Sequence, residues 1–196
     1  MSDPVLVPIP FWYLRHGETD WNAQNLSQGN VDIPLNPTGI AQARAAALAL
    51  RGRGIAAIRS SPLSRARVTA ELVAEVLDLP VTIDPQLREV AFGAQEGQPM
   101  GEWFAAWIAG THTPEGAETF AGLRARAVAA VNAAVAHPPP VLLVAHGALF
   151  RALRTAMGLD ALARTRNAVP FLCAPGTAPD GAWTLTPADP EARLTM

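Results

Sequence analysis

The stretch IPFWYLRHGET, residues 9–19, passes from an apolar and aromatic run directly into a basic pair. The run Ile9 to Leu14 is typical of a buried strand, so Arg15 and His16 would emerge at its carboxyl end. A cation and an imidazole held there form an anion site that exists before any ligand arrives, and Gly17 lets the chain turn without an obstructing side chain. The pattern predicts a phosphate-binding site at this point of the chain.

A second strand end of the same kind occurs far downstream. The apolar run Val141 to Ala145 leads into His146 and Gly147 and then into a helical pattern. Because the carboxyl ends of parallel strands lie at one edge of a sheet, adjacent strands would bring His16 and His146 to one pocket. The two His-Gly pairs therefore predict a single site built from distant parts of the chain.

Strands alternate with helices over most of the sequence, which predicts an α/β three-layer α/β/α sandwich with a mostly parallel central sheet. The last two strands are joined by the turn-rich segment APGTAPDGA and should pair as a hairpin that places an antiparallel strand at an edge. Strands are predicted at about 9–14, 55–59, 81–83, 141–145, 169–174 and 183–186, and helices at about 37–51, 62–77, 98–110, 118–136 and 149–157.

Two helix starts carry specific signals. Asn36 followed by Pro37 is typical of an N-cap and the first helical position. Ser61 is predicted to cap the next helix, which puts Arg65 in its first turn. A cation is electrostatically disfavoured near a helix N-terminus unless an anion lies nearby, so the position of Arg65 is a further indication of an anion site.

Length and composition favour one compact domain over residues 1–196, with 49% hydrophobic and 16% charged residues. The net charge of −2 gives no field for nucleic acid or an anionic membrane, so anion recognition must be local. All 15 basic residues are Arg, which excludes a lysine nucleophile or Schiff base. No heptad or unmistakable interface stripe is present, so the sequence makes no prediction of oligomeric state.

The N-terminal and cysteine patterns bear on location. Pro8 and Pro10 interrupt the first apolar run and Asp3 replaces a basic start, so neither a signal peptide nor a membrane span is expected and the protein is predicted to be cytoplasmic. The single Cys173 rules out an intramolecular disulfide and lies in an apolar run, which indicates an inert core thiol. It is followed by APGTAP rather than by five residues and an Arg, which excludes a cysteine-based tyrosine phosphatase.

Six ordered motifs resemble the histidine phosphatase superfamily in its phosphoglycerate mutase-like branch. They are RHGETDWN at 15–22, QG at 28–29, PLNPTGIAQA at 34–43, SSPLSRARVTAELV at 60–73, LREVAFGAQEG at 87–97 and VAHG at 144–147. The resemblance extends from about residue 11 to the C-terminal region. It implies an enzyme that requires neither metal nor cofactor and acts on a small phosphomonoester.

The chemistry of the residues agrees with that resemblance. His16 would act as the nucleophile, with one ring nitrogen held by a backbone carbonyl and the other free to attack phosphorus. Arg15, Arg65 and His146 would hold the transferring group by charge and hydrogen bonds. The four histidines show no HxH or HExxH pattern, and no carboxylate cluster is spaced like a divalent-metal site.

The resemblance assigns the remaining roles. Glu89, in LREVAFG, takes the family's acid/base position, whereas the acid-phosphatase branch has an Asp directly after the second His, where this chain has Gly147. Asn22 and Gly147 would lie beside the phosphate, with Gln28 and Gly29 at the rim of the substrate site. Glu18 is expected to fix the loop by hydrogen bonds.

The segment of about 98–123 corresponds to the substrate cap of this family. It contains no Arg or Lys, whereas the mutases carry a longer insertion with basic residues, and Gln28 stands where mutases have Thr. The sequence therefore favours a phosphatase of the broad-specificity or cobalamin-pathway type, with a leaving group that need not be anionic. A cofactor-dependent phosphoglycerate mutase and a non-catalytic module that binds phosphorylated ligands are the alternatives.

Several residues carry simpler predictions. At least one ring of Trp103, Phe104 and Trp107 is expected to line the pocket, although the group is core by default. His112 and His137 are expected in solvent or turns. Solvated helix faces are predicted for eight arginines: Arg44, Arg51, Arg53, Arg67, Arg124, Arg126, Arg151 and Arg154.

Overall fold

The fold is a six-stranded sheet with helices on both faces. A computed structural model describes residues 5–137, 140–176 and 181–189. The strands are β1 Phe11–Arg15, β2 Ala57–Ser60, β3 Val81–Ile83, β4 Val141–Ala145, β5 Pro170–Ala174 and β6 Thr184–Pro187. The helices are α1 Asp20–Ala23, α2 Pro37–Leu50, α3 Ser64–Leu77, α4 Glu102–Ile108, α5 Phe120–Val135 and α6 Gly147–Ala156.

The strand order β3-β2-β4-β1-β5-β6 explains how the sheet builds a site. β4 pairs in parallel with β2 on one side and with β1 on the other, so β1 and β4 end side by side. β5 runs antiparallel to β1, and β6 pairs with β5 at the sheet edge. The α/β class, the mostly parallel sheet and the C-terminal hairpin are thus confirmed, while residues 177–180 of the predicted turn lie outside the described residues.

Side chains of the two central strands alternate between two hydrophobic cores, as strand geometry requires. Phe11 and Tyr13 of β1 face the core formed with α5 and α6, whereas Trp12 and Leu14 face the core formed with α2 and α3. Cys173 is fully buried in the first core, which confirms that it is a core thiol, and burial raises the pKa of the thiol well above its usual value.

The start of α2 is as predicted from the sequence, whereas the start of α3 differs from the prediction. Asn36 caps α2 by accepting from the Gly39 N–H, with Pro37 at the first position. The predicted cap by Ser61 is wrong, because α3 begins at Ser64 and its first N–H donates to Asp32 from a distant loop. Among the described residues, no helix has the length and apolar character needed to cross a bilayer.

Candidate active site

A cavity of about 240 Å³ opens where β1 and β4 end. All of the residues predicted at the site line it except His146, whose ring lies 5.3 Å from the ring of His16. The cavity walls comprise Arg15, His16, Asn22, Asn25, Leu26, Ser27, Gln28, Gly29, Arg65, Glu89, Phe92, Met100, Phe104, Gly147, Ala148, Arg151, Arg164 and Thr165. Residues from widely separated parts of the sequence thus meet in one place.

His16 is held in one tautomer by the backbone. Its Nδ1 lies 2.7 Å from the Gly17 carbonyl oxygen, which only accepts, so Nδ1 carries the proton and Nε2 keeps its lone pair. The backbone N–H of His16 donates to the Ala145 carbonyl at 3.0 Å, which joins the end of β1 to the end of β4. Burial, then the charges of Arg65 and Arg15, lower the pKa of His16 well below its usual value, so the ring is neutral.

His146 is fixed from both its backbone and its ring. The Tyr13 hydroxyl donates to the His146 carbonyl at 2.8 Å and accepts from the His146 N–H at 3.1 Å. Ring atom Nε2 lies 2.7 Å from the Ser61 hydroxyl, while Nδ1 is buried without a partner among the described residues. Burial and then Arg65 lower the pKa of His146 well below its usual value, so this ring is also neutral.

Two buried arginines, Arg15 and Arg65, line the site. Arg15 donates to the Thr165 carbonyl at 2.6 Å, and Arg65 donates to the carbonyls of Val31 and Gly29 at 2.8 and 2.7 Å. Burial is the main cause that lowers the pKa of each to about 10, so both stay charged at neutral pH. The Nε of each guanidinium is buried with no partner in the described part of the chain.

Glu89 sits at the N-terminus of α6. Its Oε1 accepts from the N–H groups of Val90 and Leu149 at 3.1 and 3.0 Å, and its Oε2 accepts from the Ala148 N–H at 2.9 Å. A carboxylate is stabilised by such unpaired helix N–H groups. The three bonds fix the carboxylate at the cavity wall and leave Oε2 with further capacity to bind a proton.

The loop after β1 is assembled by polar contacts. The side-chain oxygen of Asn22 accepts from the Thr19 N–H and from Asn167 Nδ2. The side-chain NH₂ group of Asn22 is therefore the part that can donate to a ligand. The Thr19 hydroxyl donates to the Gln28 side-chain oxygen at 3.0 Å. Glu18 accepts from Asn36 Nδ2, which confirms its predicted structural role.

Gly17 is required by close packing. A Cβ at this position would overlap the carbonyl oxygen of Gly39 in α2, so any larger residue would push the loop off the helix. The Gly17 N–H also donates to the Thr69 hydroxyl at 3.1 Å, which in turn donates to the Arg65 carbonyl. The loop that carries His16 and the helix that carries Arg65 are therefore joined directly.

The aromatic prediction is resolved in favour of Phe104, which lines the cavity, whereas Trp107 is fully buried and packs against Phe120. Phe92 also lines the cavity and makes an edge contact with Phe104. His112 and His137 are exposed, as predicted. Which of these rings lines the cavity depends on how α4 packs, and the spacing of the aromatics does not encode that packing.

The prediction of solvated arginines is wrong for four of the eight, because Arg124, Arg126, Arg151 and Arg154 are half-buried. Arg151 is half-buried, lines the cavity and lies over the Phe104 ring, because α6 turns this face towards the site. Arg126 is half-buried in an ion pair with Glu118 at 2.7 Å. Sequence reasoning also missed Arg164 and Thr165, which come from an irregular loop after α6 with no recognisable pattern.

The chain is similar to known proteins over most of its length. Residues 11–173 match the sequence profile of the histidine phosphatase superfamily (branch 1). The probable phosphoglycerate mutase GpmB of Yersinia pestis (strain Pestoides F) is 37% identical over 171 residues, which cover 81% of this chain and 79% of the relative.

Solved structures agree with that match. A mycobacterial glucosyl-3-phosphoglycerate phosphatase, solved in complex with VO₃, is 33% identical and superposes with a TM-score of 0.79 over 90% of this chain and 96% of its own. The protein TTHB049 of Thermus thermophilus is 31% identical, with a TM-score of 0.71 over 84% and 92%. The fold, the two strand-end histidines and these matches lead to one conclusion: the chain belongs to the histidine phosphatase superfamily.

Proposed function

We propose that the protein is a metal-independent phosphomonoesterase that hydrolyses a small phosphorylated metabolite through a phosphohistidine at His16. The strongest support is a set of buried donors that lack partners among the described residues and surround His16: Nε of Arg15, Nε of Arg65 and Nδ1 of His146. A buried donor without a partner costs free energy, about 1–3 kcal/mol each, unless a ligand satisfies it. A phosphoryl group offers three acceptor oxygens and negative charge, which suits all three donors.

The first step transfers the phosphoryl group to the protein. Nε2 of His16 attacks phosphorus while the bond to the substrate alcohol breaks, and Glu89 gives its proton to the departing oxygen. Arg15 and Arg65 stabilise the charge on the equatorial oxygens. In this mechanism the two arginines provide the charge stabilisation that a metal ion provides in other phosphatases.

The second step regenerates the enzyme. Water loses a proton to Glu89 and attacks phosphorus, the P–N bond breaks, and inorganic phosphate leaves with His16 neutral again. In this scheme the Ser61 hydroxyl donates to Nε2 of His146, while its oxygen accepts from the Leu63 N–H. That arrangement puts the His146 proton on Nδ1, where it meets a phosphoryl oxygen.

The remaining predicted residues complete the site. Asn22 donates its NH₂ group to the phosphoryl oxygens, and Gly147 keeps the phosphate pocket open beside the Arg15 guanidinium. Gln28 and Gly29 form the rim, with the Gly29 carbonyl also holding Arg65. Residues of about 98–123 cap the cavity of a single domain that is expected to act in the cytoplasm on a free small molecule.

The test is release of inorganic phosphate from p-nitrophenyl phosphate in the presence of a chelator. We expect turnover by the intact protein and a loss of at least about 10³-fold in the His16→Ala variant. His112→Ala is the matched control, because His112 is exposed. A phosphoryl group trapped on the peptide that contains His16, and not on that of His112, completes the result.

Other results would contradict the proposal. Isomerisation of 3-phosphoglycerate with little phosphate release would make the protein a mutase, the activity named for its Yersinia pestis relative. Turnover that the chelator abolishes would refute metal independence. Binding of phosphorylated ligands without any turnover would identify a binding module.

A further inference from the structure

The segment of residues 165–168, between α6 and β5, holds the end of β1 in place. The Thr165 carbonyl accepts from the Arg15 guanidinium at 2.6 Å, and the Ala168 N–H donates to the Arg15 carbonyl at 3.0 Å. Ala168 has a φ of 51°, in the left-handed region that residues other than glycine rarely adopt. Backbone strain of this kind persists only where surrounding contacts hold it. The segment is therefore fixed against the loop that carries the proposed nucleophile.

Asn167, in this segment, contacts two residues of the proposed site. Its Nδ2 donates to the backbone carbonyl of His16 at 3.0 Å and to the side-chain oxygen of Asn22 at 3.1 Å. An amide NH₂ group has two hydrogens, so these two acceptors use all of its donor capacity. Asn167 is half-buried and does not line the cavity, whereas His16 and Asn22 do. Asn167 therefore joins two residues of the site from outside the cavity lining.

Backbone groups determine how both amides are oriented. A carbonyl oxygen only accepts, so the His16 carbonyl requires the NH₂ group of Asn167 on its side. The Thr19 N–H only donates, so it requires the side-chain oxygen of Asn22 on its side, at 3.3 Å. A flip of either amide would place two like groups against each other where Asn167 meets Asn22. The contact from Thr19 is the longer of the two on the Asn22 oxygen, so the bond from Asn167 is the stronger constraint on that amide.

We propose that Asn167 is a positioning residue that orients the Asn22 amide so that its NH₂ group faces the phosphoryl group in the cavity. If Asn22 were reversed, its side-chain oxygen would face the phosphoryl oxygens, and a hydrogen bond would be replaced by repulsion between acceptors. The role rests on the proposed function for the group that is transferred, whereas the orientation can be tested by phosphate binding alone. Asn167 lies outside all six sequence motifs, so the sequence gave no indication of it.

The experiment is a double-mutant cycle on kcat/KM for p-nitrophenyl phosphate, with the intact protein, Asn22→Ala, Asn167→Ala and the double variant. We expect a loss of about thirtyfold in Asn22→Ala and about tenfold in Asn167→Ala, because each variant weakens a hydrogen bond to a charged group. When Asn22 is already Ala, Asn167→Ala should cost no more than about threefold. A role unrelated to Asn22 would make the two losses multiply to about 300-fold, which would overturn the proposal.

Asn132→Ala is the matched control. Asn132 is also half-buried and also makes two hydrogen bonds, with the Val7 N–H at 2.9 Å and the Val5 carbonyl at 3.0 Å, and it does not line the cavity. This variant should leave kcat/KM unchanged. A loss as large as that of Asn167→Ala would attribute the effect to general destabilisation and refute the positioning role.

Calorimetric titration of the four proteins of the cycle with inorganic phosphate separates this proposal from the proposed function. We expect the same non-additive pattern in the dissociation constants. Absence of turnover by the intact protein would refute the phosphatase function and still allow the binding cycle to be measured. Additive losses of phosphate affinity would refute the orientation of Asn22 by Asn167, with or without turnover.

Discussion

At the scale of single residues, the site is defined by which polar atoms have partners and which do not. The structural contacts hold Arg15, Arg65 and His146 in place through some of their nitrogens and leave others buried and unpaired within the described residues. A group that is fixed before the ligand binds loses little conformational entropy on binding. We therefore expect the residues that anchor these donors to contribute to the function of the site through them.

Ser61 provides the test of this view. Ser61→Ala removes the hydroxyl 2.7 Å from His146 Nε2, so the ring loses the bond that sets its tautomer, and we expect kcat to fall about tenfold. The measurement is steady-state hydrolysis of p-nitrophenyl phosphate. Ser60→Ala is the control, since that buried hydroxyl donates only to the Ser61 carbonyl, and a comparable fall in kcat would refute the positioning role.

At the scale of elements, α3 brings a cation to a helix N-terminus, where backbone dipoles disfavour it. The structure offsets this with Asp32, whose Oδ1 accepts from both the N–H and the hydroxyl of Ser64 at 2.8 and 2.7 Å. The carboxylate satisfies the helix end and places a negative charge near Arg65. α3 can then present Arg65 to the cavity while its N-terminus remains capped.

Removal of this cap should weaken the helix. We expect Asp32→Ala to lower the free energy of unfolding by about 1 kcal/mol, measured by urea denaturation, because the first turn of α3 loses its acceptor. Glu75→Ala is the control on the same helix, at an exposed position, with an expected change within about 0.5 kcal/mol. Equal changes in both variants would contradict the capping role.

The sequence predicted elements where a local signal exists. Asn36 and Pro37 marked the start of α2, and the apolar runs marked β3 and β4 to the residue. The Ser61 prediction failed because the cap of α3 comes from Asp32 in another segment, a contact that no local pattern records. Arg151 and Arg164 were missed for the same reason, since helix orientation and loop path decide which side chains reach the cavity.

At the scale of the whole molecule, two neutral histidines are enclosed between the sheet and its helices. His16 and His146 are both buried, and burial is the first cause of their lowered pKa values. The unfolded chain binds a proton on each histidine near pH 6.5, whereas the folded protein does not until the pH is much lower. Below pH 6.5 the unfolded state therefore binds more protons, and acid favours unfolding.

The free energy of unfolding should accordingly fall as the pH is lowered from 6.5 to 5.5, by up to about 1.4 kcal/mol per pH unit for each histidine. Urea denaturation at a series of pH values measures this slope. We expect His146→Asn to reduce the slope by about half, because one of the two proton-binding groups is gone. His112→Gln, at an exposed position, should leave the slope unchanged, and a flat profile in the intact protein would refute the assignment.

The order of the strands has a consequence for how the protein is made. β1 lies between β4 and β5, and the Tyr13–His146 hydrogen bond that closes the site joins positions 133 residues apart. During synthesis the segment with His16 leaves the ribosome long before either neighbouring strand exists. A nascent chain therefore cannot assemble this site until the strands β4 and β5, which flank β1, have also been synthesised.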